Sequence, residues 1–323
     1  VAFGLANTVA WLFLSRIIQG AGGGTTGVAQ AYVADSIPAA GRARALGWLS
    51  AATAAGVMVG ASLQVLRRLT APFTIVLALG AACWLVGNLA WLASGMLTPA
   101  VPWWLAFLVL TIAGERLELT RFLPTPPAAQ RLFIAIVGTI LTGAALSLWF
   151  ADGGLRLFAG GLLALAGWLL RYDIARRNAR QQGLTRFIAV CLLSGYFWLA
   201  LAGALGVTGA LLPGDIWRDA ALHAIGLGFV FAMVFGHAPI IFPAVARVKI
   251  PYHPVFYVPL LVLHASLALR IGGGLVGDFA VQRAGGAANA LALLLFIATI
   301  LISVVRGKRQ TSSSRKVTHD ETP

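Results

Sequence analysis

The chain has 323 residues, 59% of them hydrophobic and only 11% charged, with a mean hydropathy of +0.86. Soluble domains carry about a quarter charged residues, so this composition excludes an ordinary soluble globule and indicates a multi-pass membrane protein. The net charge of +14 is not a nucleic-acid signature, because the basic residues sit between apolar runs, where they orient the chain and meet anionic headgroups.

Inside lipid each backbone N–H and C=O must be satisfied within the protein, so the spans are helices. The apolar runs are continuous rather than alternating, which excludes a β-barrel. The expected fold class is all-α: a polytopic integral membrane helix bundle of about ten transmembrane helices. The predicted spans are 9–34, 46–66, 72–95, 101–117, 131–150, 155–171, 187–211, 219–242, 254–271 and 286–305, with 101–117 and 155–171 the shortest. They divide into a two-helix segment at 1–66, a module of about eight helices at 67–305, and a polar tail at 306–323 expected to be disordered. The chain opens at Val1 already apolar, with no initiator Met and no basic leading region, as a piece from inside a longer protein would.

Residues 14–63 come first in chain order. They read "LSRIIQGAGGGTTGVAQAYVADSIPAAGRARALGWLSAATAAGVMVGASL". Arg16-x-x-Gln19-Gly20, Ala31-Tyr32 through Asp35, Pro38, Arg42, and Gly56-x-x-x-Gly60 make this stretch similar to the fourth and fifth helices of major facilitator superfamily transporters. That resemblance implies transport, with Arg16, Gly20 and Asp35 as its residues. Physics agrees in part: small residues let helices approach closely, and an arginine in an apolar span has to face protein or a water-filled cavity. Gly20 to Gly24 is not a phosphate loop, since no Lys-Ser/Thr follows it.

Further on, Arg and Lys alternate between rich and poor connections. Arg67 and Arg68, Arg116 to Arg131, Arg171 to Arg186, Arg247 with Lys249, and the tail are rich. The positive-inside rule places those connections and the C-terminus in the cytoplasm. Arg42 and Arg44 break this alternation. "GERLELTR" at 114–121 ends a span with Glu115, Arg116, Glu118 and Arg121, where an i,i+3 pair of Glu118 with Arg121 is expected at the surface. Cys83 and Cys191 stand alone in apolar runs and read as buried thiols.

Four of the five histidines fall between 223 and 264. On a regular α-helix His223 and His237 would lie about 21 Å apart and within about 40° of each other around the axis. Met233 is one turn before His237. His253 opens the next span and His264 sits about 16 Å deeper in it. Antiparallel packing then predicts two layers: His237 with His253, and His223 with His264. Imidazole pairs of this kind suit bis-histidine haem or copper. Asp219 is expected to N-cap the first of these helices, and Arg218 is a candidate anchor for a haem propionate. Pro239, Pro243 and Pro259 are expected to bend or end helices beside the histidines.

"HPVFY" at 253–257 resembles the copper-ligand HPxxY motif of haem–copper oxidases, with His253 and Tyr257 one turn apart. A broader resemblance is to the NnrS family. It rests on His223-Ala224 opening a helix, Gly226, Gly228, Met233, the Gly236-His237 pair, a basic loop, and a helix ending in Leu269-Arg270. It covers about 70–305. It implies a bacterial membrane protein with haem or copper held by His223, His237, His253 and His264, a link to nitric oxide or metal stress, and a redox partner or small gaseous ligand. The transporter reading and a structural membrane subunit without cofactor are the alternatives.

Overall fold

The computed structural model describes residues 60–320 except 122, together with Ser36, Pro38, Gly41 and Gly56. The span predicted at 9–34, most of that at 46–66, and the transport residues Arg16, Gly20 and Asp35 lie outside the described residues. Among those residues every regular element is helical, and seven helices are long and apolar enough to cross a membrane. Of the eight spans predicted from 72 onward, seven are matched by these helices. The predicted span at 101–117 forms a helix, but its last turns carry Glu115, Arg116 and Glu118 and it is not among the seven.

The chain divides into two compact units, Val1–Glu118 and Leu119–Pro323. In the first, α1 (Pro72–Ser94) begins with Pro72 in its first turn, where a missing N–H costs nothing. The Ala71 N–H donates to Thr74 Oγ1 at 2.9 Å. Gly95, at φ 70°, ends the helix and donates to Trp91 O. This left-handed conformation suits glycine. α2 (Val101–Thr120) packs on α1 through small residues: a Cβ on Gly87 would fall 2.6 Å from the Trp104 ring, and one on Gly114 would fall 3.0 Å from Leu77. Trp91 and Trp104 meet edge to face at 6.2 Å. Arg116 is buried and donates to Glu115 at 2.6 Å.

The second unit is a run of antiparallel helices: α3 (Pro127–Leu146), α4 (Ala151–Tyr172), the short α5 (Ala175–Asn178), α6 (Gly183–Val207) and α7 (Arg218–His223). α7 continues through a π-helical segment, Ala224–Phe231, into α8 (Ala232–Ala246). After a 3-10 turn at Pro254–Phe256 come α9 (Tyr257–Val276) and α10 (Phe279–Asp320). The predicted spans 131–150 and 187–211 each start four residues late. Apolarity sets a window, but the ends are set locally, by Pro127 in the first turn of α3 and by Gln182 with Gly183 before α6.

Glycines bring α3, α4 and α6 together: Gly143 lies against the Phe158 backbone, Gly154 against Ser147, and Gly203 against Leu163. Trp168 on α4 donates to Ala129 O on α3 at 2.8 Å and meets Phe133 at 4.6 Å. The remaining core joins α6, α8, α9 and α10 through Phe187, Cys191, Phe235, Leu263 and Phe296, with Phe235 and Phe296 stacked at 3.9 Å. Without water between helices, close packing and interhelical hydrogen bonds do this work.

Three further expectations change. Pro239 and Pro243 do not end α8, which runs on to Ala246 and stops at Arg247, φ 53°. Their missing N–H groups fall late in a helix already held by packing at Phe235 and Ala238. Pro259 sits in the first turn of α9, where it is tolerated. The backbone stays helical through Asp320, where composition predicts disorder, because a helix nucleated in the apolar stretch propagates at one hydrogen bond per residue.

Candidate functional site

Of the five histidines of the second unit, the four candidates lie on α7, α8 and α9 and at the turn before α9. The π segment separates the first two. An i→i+5 ladder winds at roughly 80° per residue instead of 100°. Over the 8 residues Ala224–Phe231 the phase falls behind that of an α-helix by roughly 150°. The α-helical constants behind the sequence expectation for His223 and His237 do not hold across this segment. Gly228 in this segment lies against Trp198, where a Cβ would come within 2.4 Å of the indole.

His264 occupies the middle of the bundle, level with Trp198 and Ser194 of α6. Trp198 Nε1–H donates to His264 Nδ1 at 2.9 Å. Nδ1 is then an acceptor, so Nε2 carries the proton and donates to Ser194 Oγ, also at 2.9 Å. Ser194 Oγ–H in turn donates to Cys191 O at 3.0 Å. Both imidazole nitrogens are thus engaged, and a buried imidazole held this way is neutral and oriented. Trp198→Phe removes one hydrogen bond and leaves a buried acceptor unpaired. It is expected to cost about 1–3 kcal/mol, read as a lowered thermal midpoint in detergent, with Ser194→Ala costing less.

His223 and His237 adopt the other tautomer. His223 Nδ1–H donates to Asp219 O at 2.8 Å, with Asp219 Oδ1 at 3.1 Å. His237 Nδ1–H donates to Met233 O at 2.6 Å. A carbonyl only accepts, so in both rings Nδ1 carries a proton. His253 does the reverse: its Nδ1 accepts the Val255 N–H at 3.1 Å and caps the 3-10 turn.

Asp219 is not an N-cap; that position is Trp217. Its carboxylate instead receives Arg270 Nε at 3.0 Å and Nη2 at 2.8 Å, and Gln282 Nε2 at 3.0 Å. One carboxylate thereby ties α7 to α9 and α10 and orients His223. Planar guanidinium binding of this kind is the strong form of an ion pair. Above it, Gly285 lets α10 approach the Arg270 backbone, where a Cβ would fall 2.4 Å away. Deeper between the same helices, the Asn289 amide and Ser266 hydroxyl are 2.7 Å apart.

His264 pairs with Trp198 and Ser194, His223 with Asp219, and His253 with its own turn. Among the described residues no group of three or more His, Cys, Asp or Glu side chains is placed to hold a metal ion. Met233 is buried with its Cε against Gly195, and Tyr257 meets Phe187 edge-on at 5.1 Å. Arg218 leads α7 with its Nε buried and unbonded. Sequence reasoning missed Trp198, Ser194 and Gln282. The one signal was Arg270: an arginine at the end of an apolar helix needs an acid, and Asp219 is the carboxylate on the neighbouring span.

Fold and site together define a multi-pass helical membrane protein with buried polar contacts between its last helices. The model of the family described as Domain of unknown function (DUF8744) matches residues 2–305, and the chain belongs to that family. No curated protein and no solved structure matches it.

Proposed function

We propose that the protein is a bacterial inner-membrane protein, its C-terminus cytoplasmic, with a histidine-based haem or copper site that serves tolerance of nitric oxide or metal stress. The reading rests on the NnrS resemblance of the histidine-bearing spans and on their charge pattern. One observation of the site supports it. His223 and His237 each give Nδ1–H to a backbone carbonyl one turn back. Metal-binding imidazoles are held in this way, the second nitrogen fixing tautomer and ring plane. The fit is partial, because His253 and His264 use their Nδ1 lone pairs within the protein. The two whose Nδ1–H is fixed in this way, His223 and His237, are the proposed ligands. They stand on opposite sides of the π segment and would serve two separate groups.

Such a group supplies one-electron chemistry and a position for a small gaseous ligand. The chain's part is orientation: Asp219, itself held by Arg270 and Gln282, keeps the His223 ring in place. The test is an absorption spectrum of detergent-purified protein, oxidised and then reduced, with elemental analysis, after expression with haem and copper supplied. A Soret band or stoichiometric metal is expected. His223→Ala and His237→Ala should each lower it, while His264→Ala leaves it unchanged. A colourless, metal-free wild type overturns the proposal.

A further inference from the structure

A cleft of 390 Å³ opens between the start of α6 and the segment leading into α9. Its polar lining is Gln182, Arg186, Tyr252 and Tyr257, and its apolar lining includes Val190 and Pro254. No carboxylate lines it. Among the described residues no acid pairs with Arg186, and the first turn of α6 holds none. Phe187, Phe256 and both tyrosines pack as one aromatic floor, with Tyr252 and Phe256 stacked at 6.2 Å. The cleft is large enough for a small ligand.

Its position narrows the chemistry. It lies where α6 and α9 begin, between the connection carrying Arg176, Arg177 and Arg180 and the one carrying Arg247 and Lys249. That is the edge of the apolar belt, where tyrosines sit at headgroup level and basic connections meet the anionic leaflet. Outside the cleft, Val258 and Leu261 on α9 are exposed, as a surface against acyl chains would be. An unpaired cation, tyrosine hydroxyls and an apolar flank fit one ligand class.

We infer that this cleft binds the phosphate of an anionic phospholipid headgroup, with Arg186 as its cation and Tyr252 and Tyr257 as hydroxyl donors. The inference does not depend on the histidine site. The test is native mass spectrometry of the full chain released from nanodiscs of phosphatidylcholine with and without phosphatidylglycerol. Wild type should retain phosphatidylglycerol over phosphatidylcholine. Arg186→Gln should weaken retention about fivefold, the effect of one basic contact near the surface. Arg186→Lys should keep most of it, and Arg177→Gln, outside the cleft, should change it little. Equal loss in Arg186→Gln and Arg177→Gln would mean diffuse surface attraction and overturns the site. So does a wild type that retains both lipids alike. Inorganic phosphate alone should leave the melting temperature unmoved; stabilisation equal to that by phosphatidylglycerol would show a free-phosphate site and overturn the lipid assignment.

Discussion

Asp219→Ala is expected to destabilise the second unit by about 2–3 kcal/mol. The carboxylate receives three hydrogen bonds from two other helices, and its loss leaves the Arg270 guanidinium, 22% exposed, without its acid. Breaking such a pair from one side costs more than the pair contributes, because the remaining charge stays desolvated. Partial exposure of both partners keeps the figure below that of a fully buried pair. Arg270→Ala should cost a similar amount, and the double variant less than the sum, since it leaves no orphaned charge. Reversible unfolding in mixed micelles, run as a double-mutant cycle, measures this. Additive losses would show that Asp219 and Arg270 act separately. The same cycle bears on the histidine: if Asp219 orients His223, Asp219→Ala also broadens or shifts any chromophore that His223 holds.

Gly143→Ala should cost about 3 kcal/mol and Gly138→Ala nothing, although both lie on α3. A Cβ at 143 would stand 2.3 Å from Phe158 N and 2.6 Å from its Cα. The obstacle is backbone, so no rotamer change relieves it, and α4 has to move away along its length. At 138 a Cβ meets nothing within 4 Å, and alanine there gains helix propensity of about 1 kcal/mol. Thermal midpoints of the two variants give the comparison. Truncating Phe158 to Ala on the Gly143→Ala background should not restore stability, because the clash is not with the side chain. Recovery in that double variant would show that the helices are held by side chains rather than by backbone approach.

Much of this architecture is legible in the residues. Apolar runs long enough for lipid predict the helices from 72 onward to within about four residues at most ends, because a span is selected by its own composition whatever it packs against. Short 155–171 proves to be full-length α4, since Arg156 in its second turn and Arg171 in its last are ordinary interfacial residues. The site was less legible. The four histidines were visible, but their spacing was converted to geometry with α-helical constants, and Ala224–Phe231 does not obey them. A π segment has no period of its own in so apolar a run.

Partners across helices were beyond reach of the sequence for a related reason. His264 could be placed on its helix from spacing alone, yet what it touches depends on how far α6 and α9 slide past each other. Trp198 and Ser194 settle that, through Gly195 and Gly228, which admit Met233 and the indole. Likewise Asp219 looked like a cap because its neighbours in sequence suit one, and it became an interhelical acceptor because Gly285 brings α10 onto Arg270. Composition alone was enough to decide membrane residence, helical class and the approximate spans, since lipid acts on each segment separately. Tautomers, ion pairs and which histidines face each other were decided by tertiary packing, since each depends on atoms far apart in the chain.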